Sequence, residues 1–230
     1  MCDATRELLL LLKEETKNQE EEEEGKISID DIAAMCVDTT CCSVVFMDDD
    51  GKSLYPCITW CDMRAGAKET KDVLAQARRK EGKEEEDEAK KKNETRVRRS
   101  MMMAKTIQVN CDGEGPVSAE WMVPKALWMK RHEKEVFDRA TRVCEYQDYM
   151  NFRLTRRYCA SANNVSVRWH FREEDGKKVP PKELLEALEL EDLLEKWPKE
   201  VLKCGEVVGN ITEEAFEELF KGAKYREIPV

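Results

Sequence analysis

The stretch from Asp31 to Ala65 limits the possible folds of this chain more than any other part of the sequence. Within it, Ile32–Val37 is a short apolar run of the length expected for a strand that is covered on both faces. Ser43–Met47 is a second run of β-branched and aromatic residues, and it ends at the turn-forming residues Asp48–Gly51. Two such runs in close succession predict neighbouring strands of an α/β sheet.

Polar side chains follow both of these runs. Asp38 and Thr39 place a carboxylate and a hydroxyl at the carboxyl end of the first predicted strand. In open α/β sheets, ligands bind outside the carboxyl ends of the strands. Further along the chain, Asp62 and Arg64 bring an acid and a base together beside Trp60. These residues are the first candidates for a ligand-binding site.

Length and charge exclude several classes of protein. A chain of 230 residues is long enough for one sizeable α/β domain or two small ones. The net charge of -10 argues against nonspecific binding to nucleic acids or to an anionic membrane surface, since both depend on an excess of basic residues. Leu8–Leu12 is too short for a secretory signal and is flanked by acid. We therefore expect a cytoplasmic protein with no nucleic-acid or membrane partner.

Ten cysteines are spread along the chain without a repeating spacing. Several fall in predicted strands or helices, which favours reduced thiols used as small apolar side chains. Cys57 and Cys61 could form half of a zinc site, but only His132 and His170 are available to complete it. We therefore assign no metal ligands from the sequence.

Other segments give simpler predictions of structure. Asp62 to Lys80 is expected to continue as a helix, and Gly205–Val208 to form a short strand. Ser118 is a plausible helix N-cap, and Pro124 suits the first turn of a second helix better than an interior position. Thr212 is expected to cap a last helix, because a hydroxyl at this position accepts a hydrogen bond from a free backbone N–H.

Five sequence motifs occur in one order along the chain. They are VDTTCCSVVFMDDDGKSLYPCITWCDMRA, SAEWMVPKALWM, EYQDYMNFRLT, ASANNVSVRW and KWPKEVLKCGEVVGNIT. Together they resemble the FGGY family of carbohydrate kinases, in particular its ribulokinase-like branch. The resemblance implies an α/β fold of the ribonuclease-H-like, actin-related type. It also implies transfer of phosphate from ATP to a pentulose such as D-ribulose, with ATP and Mg²⁺ required by the full enzyme.

The resemblance also bears on domain organisation. Members of the family begin with a strand pair that carries a phosphate loop, and their catalytic aspartate follows the segment that resembles Tyr225–Val230. Neither feature is present in this sequence, so no residue is assigned as the catalytic base. We expect residues 1–30 to form a helix and an acidic linker. Residues 31–230 would then be a partial kinase N-terminal domain missing its first strands, with a charged insertion at about 81–99 and a tendency to self-associate or to pair with a C-terminal lobe.

Candidate sugar contacts follow from the same resemblance. Lys125 matches the lysine of a Pro-Lys motif that contacts the pentulose in ribulokinases, and Cys41 falls at a position that lines the sugar pocket. Asp62 and Arg64 match a Trp-x-Asp-x-Arg signature whose members support the pocket. Sugar hydroxyls need matching polar groups, because an unpaired buried polar atom costs about 1–3 kcal/mol. This requirement adds three residues: Asp38, Thr39 and Glu120.

Alternatives remain open for these residues and for the chain. Asp62 and Arg64 could be a mutual ion pair that organises a turn, and Asp38 could simply cap the end of a strand. The chain as a whole could be a noncatalytic remnant of a kinase that binds a sugar or a partner protein.

Overall fold

The computed structural model describes residues 29–66, 68–76 and 117–230. This part of the chain is mixed α/β, with short strands and helices alternating along the sequence. The helices are α1 Met122–His132, α2 Lys134–Arg139, α3 Tyr146–Thr155, α4 Ala162–Arg168, α5 Lys182–Ala187, α6 Leu193–Lys196 and α7 Glu213–Leu219. The strands are β1 Val44–Met47, β2 Arg142–Glu145, β3 Cys159–Ser161, β4 Arg172–Glu174, β5 Lys177–Val179 and β6 Glu200–Leu202. Residues 69–76 are also helical, and Ile29–Asp31 forms a single 3-10 turn.

The described residues divide into two compact units. The first unit contains residues 29–38, 150–157 and 206–230. The second contains residues 39–66, 68–76, 117–149 and 158–205. The predicted N-terminal helix and the charged insertion at about 81–99 lie outside the described residues.

The first unit is built around α7. Its core consists of Leu154, Ile211, Ala215, Phe216, Leu219, Phe220 and Ile228. Thr212 begins the helix as predicted, because its side chain accepts a hydrogen bond from the N–H of Ala215 at 3.3 Å. Glu213 and Glu214 lie in the first turn, where their charge is favourable at the positive end of the helix dipole.

We expect Thr212→Ala to lower the free energy of unfolding by about 1 kcal/mol, because the N–H of Ala215 loses its acceptor. Thr212→Ser keeps the hydroxyl and should lose only a small part of this stability. Urea unfolding of the two variants measures the difference. Equal losses in both variants would contradict a capping role for the hydroxyl.

Two strands predicted from the sequence are wrong. Residues 32–37 are irregular, and each of them is half-buried or exposed instead of buried. The backbone N–H of Met35 donates to Pro229 O at 2.8 Å, but an apolar run becomes a strand only if a neighbour supplies a whole ladder of such bonds. Gly205–Val208 is a turn followed by irregular chain, and the strand lies earlier, at Glu200–Leu202.

The second unit contains the predicted strand Ser43–Met47, which the structure confirms as β1. It pairs with β2 in antiparallel register, with Val44 opposite Glu145. Asp48 forms the predicted turn, since its carboxylate accepts from the N–H of Asp50 at 3.1 Å and of Lys52 at 2.9 Å. The two strands therefore bring Glu145 to the beginning of β1.

Packing around β1 and β2 completes the second unit. β3 and β6 pair in parallel, and β4 and β5 form an antiparallel hairpin. The rings of Trp169 and Phe171 both lie 5.3 Å from that of Trp197 and form an aromatic core. Helix α1 is buried along most of its length, from Met122 to Leu127 and at Met129.

The helix predicted to begin at Asp62 begins later in the structure. Residues 61–66 form turns, and the helix begins at residue 69. The carboxylate of Asp62 accepts a hydrogen bond from the N–H of Arg64 at 3.1 Å, and such side-chain bonds to the local backbone compete with helix formation.

The helix predicted to follow an N-cap at Ser118 is a turn instead, and the first helix after it is α1. Its N-cap residue is Trp121, whereas the Ser118 hydroxyl accepts from the N–H of Glu120 in the preceding turn. Pro124 does lie in the first turn of the helix, as predicted. Within the described ranges, no helix combines the length and the apolar content needed to cross a membrane.

Candidate functional site

Three segments of the second unit meet at the beginning of β1. The backbone of Val44 exchanges two hydrogen bonds with Ile58, both at 2.9 Å. On its other side, Val44 pairs with Glu145 in β2. The turn at Cys41 and Cys42 leads into β1, so this turn, the segment at Ile58 and the end of β2 form one small region.

Lys125 holds this region together from helix α1. Its ammonium donates to the carbonyl oxygens of Cys42 at 2.5 Å, Thr59 at 2.9 Å and Ile58 at 3.3 Å. The residue is 1% exposed, and burial lowers the pKa of its ammonium, an effect that the nearby Glu145 carboxylate opposes. Three backbone acceptors therefore surround a side chain that the sequence predicts as a sugar contact.

Glu145 is a buried acid that the sequence did not single out. It is 1% exposed, and burial raises the pKa of its carboxyl from 4.5 to about 7. Three kinds of interaction act to lower this pKa: a hydrogen bond from Trp169 Nε1 at 3.2 Å, the charge of Lys125, and hydrogen bonds from the backbone N–H groups of Ser43 and Cys42. The apolar pair Val143 and Cys144 directly before it is the sequence signal that could have identified it.

Asp62 and Arg64 form the mutual ion pair that was left open as an alternative. Arg64 Nε donates to Asp62 Oδ1 at 2.8 Å, and Arg64 Nη2 lies 2.7 Å from Asp62 Oδ2. Partial burial acts to raise the pKa of Asp62, but the hydrogen bonds from Arg64 outweigh it and the pKa is lowered. The pair is anchored further, since Arg64 Nη1 donates to the Tyr55 hydroxyl at 3.0 Å and the guanidinium lies 4.8 Å from the ring centre of Trp128.

The surface beside this ion pair exposes large apolar side chains. Trp60 is 50% exposed and Met63 is 58% exposed. The Arg64 side chain keeps 39% of its surface accessible. Exposed apolar side chains close in sequence to a charged donor and acceptor suit a ligand that has both C–H and O–H groups.

The remaining predicted sugar contacts are Thr39, Glu120 and Asp38. Thr39 and Glu120 are half-buried members of the second unit, and Glu120 donates its backbone N–H to Ser118. Asp38 is exposed and belongs to the first unit. Lys125 and Asp62 are near enough to influence each other's pKa, so these two predicted residues share one region.

Two cysteines of this region, Cys42 and Cys57, are thiols with raised pKa values. Burial, followed by the charge of Glu145, raises the pKa of Cys42 to about 12, and burial raises that of Cys57 to about 11. Cys41 is half-buried, and its sulfur lies 3.9 Å from that of Cys42. Among the residues that the structure describes, no group of three or more His, Cys, Asp or Glu side chains is placed to hold a metal ion.

His170 is a buried histidine in the same unit. It is 3% exposed, its ring lies 5.1 Å from that of Trp121, and burial lowers its pKa to about 4. Neither ring nitrogen has a hydrogen-bond partner in the described part of the chain. The imidazole is therefore neutral near pH 7.

Comparison with known proteins identifies the type of fold. A ligand-bound xylulose kinase from Lactobacillus acidophilus superposes with a TM-score of 0.57 at 18% identity, covering 96% of this chain and 36% of that structure. A gluconate kinase from the same organism superposes with a TM-score of 0.56 at 20% identity, covering 94% of this chain and 35% of that structure. The fold is that of the actin-related sugar kinases, as predicted.

Comparison of sequences gives the family. The model of the FGGY family of carbohydrate kinases, N-terminal domain, matches residues 6–230. Ribulokinase 1 from Staphylococcus saprophyticus subsp. saprophyticus is 25% identical over 176 residues, which cover 76% of this chain and 30% of that protein. The chain belongs to the FGGY family of carbohydrate kinases, and it spans about a third of the length of these relatives.

Proposed function

We propose that this chain supplies the sugar-binding part of a carbohydrate kinase that transfers phosphate from ATP to a pentulose, D-ribulose or a similar sugar. The family match over residues 6–230 carries the proposal. The relative named as a ribulokinase supports the pentulose class. The polar groups beside β1 are of the kind that sugar hydroxyls require.

The proposed sugar contacts lie where polar groups remain partly exposed. Arg64 is held by Asp62 and Tyr55, so its accessible N–H groups are already oriented before a ligand arrives. Such preorganisation favours binding, because little side-chain entropy is lost when the ligand is bound. Thr39 and Cys41 are half-buried in the same unit and add a hydroxyl and a thiol.

Lys125 takes a different part in this proposal. Its ammonium donates to three backbone carbonyls, so direct contact with a sugar would require the loss of one of these bonds. We propose that its main contribution is to fix the backbone of Cys42 and Thr59 on the two sides of the site.

Phosphoryl transfer needs further groups. A carboxylate has to accept the proton of the sugar hydroxyl, and Mg²⁺ and hydrogen-bond donors have to hold the phosphates of ATP. Among the described residues no metal-binding cluster is found, so no step through Mg²⁺ is assigned to this chain. The proposed contribution of the chain is to bind and orient the sugar. Pairing of the chain with a C-terminal lobe stays a separate prediction.

Two assays on the purified protein test the proposal. Calorimetry measures binding of D-ribulose, with gluconate and glycerol as comparison ligands, and a coupled assay measures ADP release from ATP and Mg²⁺. Saturable binding of D-ribulose with sugar-dependent ADP release supports a kinase. Binding without ADP release supports the second candidate, a noncatalytic sugar-binding protein. The absence of binding for every pentulose would contradict the proposal.

The Arg64→Met variant is expected to bind D-ribulose about tenfold or more weakly than the parent, because a charge-assisted hydrogen bond contributes about 1.5–3 kcal/mol. Its stability should change by about 1 kcal/mol or less, since the ion pair with Asp62 is partly exposed. Arg156→Met is the matched control, because the Arg156 side chain is 41% exposed, pairs with Glu214 at 2.7 Å and belongs to the first unit. Calorimetry with equal affinities for the two variants would exclude Arg64 from the sugar site.

A further inference from the structure

Two neighbouring cysteines lie in the turn that leads into β1. The sulfur of Cys41 is 3.9 Å from the sulfur of Cys42. Cys41 is partly accessible to solvent, whereas Cys42 is 1% exposed. The two thiols are therefore in contact, and one of them can be reached from solution while the other is sheltered.

The surroundings of the two thiols make them chemically unequal. Burial and, to a smaller extent, the charge of Glu145 raise the pKa of Cys42 to about 12, so this thiol stays protonated. Because the thiolate is the form that reacts with oxidants, direct oxidation of Cys42 is disfavoured. Oxidation of this pair should therefore begin at Cys41, which is the more exposed of the two residues.

We propose that Cys41 and Cys42 form an oxidation site at which a hydroperoxide converts two adjacent thiols into a disulfide. In the first step the Cys41 sulfur attacks the peroxide oxygen, giving a sulfenic acid and releasing an alcohol, or water when the oxidant is hydrogen peroxide. In the second step the Cys42 sulfur attacks the Cys41 sulfur, and the hydroxyl leaves with the Cys42 proton as water. Two thiols are oxidised, one peroxide bond is reduced, and no further reactant is needed.

Proximity makes the second step feasible despite the low acidity of Cys42. The two sulfurs are already in contact at 3.9 Å. A reaction between groups held in contact has a high effective concentration, which offsets a small fraction of thiolate. A sulfenic acid on Cys41 therefore has a resolving thiol within reach as soon as it forms.

A bridge between neighbouring residues is expected to be reversible. Adjacent Cα atoms are about 3.8 Å apart across a trans peptide, whereas disulfides usually join Cα atoms about 4.4–6.8 Å apart. The bridge is therefore strained, and strained disulfides are easily reduced. This property is typical of a regulatory disulfide and not of one that stabilises a fold.

Formation of the disulfide between Cys41 and Cys42 would alter the candidate site. Cys42 has a φ of 67°, and its carbonyl accepts a hydrogen bond from Lys125. The side chains and backbone of the turn must move to bring the sulfurs into bonding distance, which disturbs this contact and the position of Cys41. We expect the disulfide to weaken sugar binding and its reduction to restore binding, an expectation that rests on the proposed function.

Mass spectrometry of the protein treated with hydrogen peroxide tests the oxidation site. Cys36, Cys41 and Cys42 fall in one tryptic peptide between Lys26 and Lys52, so the experiment uses a Cys36→Ser background. After free thiols are alkylated, the peptide should be lighter by two hydrogen atoms, carry no alkyl group, and regain both thiols with dithiothreitol. A further Cys41→Ser or Cys42→Ser change should abolish this product, whereas Cys204→Ser, at an exposed cysteine elsewhere, should not.

The proposal is overturned if Cys41 is oxidised to a sulfinic acid while Cys42 remains alkylatable, or if the pair stays reduced. Calorimetry with D-ribulose on the reduced and oxidised protein then measures the consequence for binding. If neither form binds the sugar, the proposed function fails while the mass shift still shows the oxidation site. If both forms bind equally, the disulfide forms without regulating the site, and that part of the inference is wrong.

Discussion

The Lys125→Met variant is expected to unfold with a free energy about 3–5 kcal/mol lower than that of the parent chain. Lys125 is 1% exposed, and its ammonium holds the carbonyls of Cys42, Ile58 and Thr59. Methionine has a similar length but cannot donate a hydrogen bond. It leaves three carbonyls without their donor and the buried carboxylate of Glu145 without its nearby positive charge.

Urea unfolding at pH 8 measures this loss, because the Glu145 carboxyl, with a pKa of about 7, is then mostly ionised in the parent. Lys134→Met is the matched control. Lys134 bonds to Asp138 on the surface, with a side chain that is 67% exposed, so its loss should cost about 0.5 kcal/mol or less. The double variant Lys125→Met/Glu145→Gln should recover part of the stability, because the unpaired buried charge is removed. A loss below about 1 kcal/mol for Lys125→Met would contradict its role as a buried clamp.

The Glu145→Gln variant is expected to lose a pH dependence that the parent shows. The pKa of Glu145 is raised from 4.5 to about 7 in the folded protein, so between these values the folded state binds a proton that the unfolded state does not. This contribution to stability is fully present below pH 4.5 and is lost as the pH rises through about 7. A shift of this size corresponds to about 3 kcal/mol, since each pKa unit is about 1.4 kcal/mol.

Glutamine preserves the shape and can still accept the hydrogen bond from Trp169, so the parent and variant differ mainly in charge. The unfolding free energy of the parent should therefore fall by about 3 kcal/mol relative to that of the variant as the pH rises from 4.5 to 8. Lys125, Cys42 and Asp148 face the same carboxylate and are kept in both proteins. Identical pH profiles for parent and variant would show that Glu145 does not titrate in this range.

His170→Asn provides a control of opposite sign. The pKa of His170 is lowered to about 4 in the folded protein, so the unfolded state binds the extra proton as the pH falls below 6.5. Stability is therefore lost on acidification in the parent and kept in the variant. Asparagine suits this position, because the backbone φ of 62° is in the left-handed region that asparagine tolerates.

The sequence predicted the parts of the fold that local chemistry determines. β1 and the turn at Asp48 follow from β-branched residues and a carboxylate that binds its own backbone. The cap at Thr212 follows from its hydroxyl. The strand at Ile32–Val37 was wrong, because strand formation depends on the hydrogen-bond ladder of a partner, and composition alone does not provide one.

The candidate site was predictable only in part. The motif placed Asp62 and Arg64 together, and the structure joins them in an ion pair. Spacing along the chain could not show that the Lys125 ammonium is enclosed by backbone carbonyls, because these come from segments more than sixty residues away. Nor could it show that Glu145 is buried beside β1, since this depends on the register of β2.

Titration of the ¹⁵N-labelled protein with D-ribulose, followed by ¹H–¹⁵N NMR, tests the sugar-binding role most directly. The predicted result is a saturable shift of the amide signals of Thr39, Cys41, Asp62 and Arg64, with the signal of Thr212 unchanged as an internal control. The Arg64→Met variant should show smaller shifts at the same concentrations of sugar. Unchanged amide signals throughout the second unit, or shifts confined to residues away from β1 and the Asp62–Arg64 pair, would contradict the sugar site.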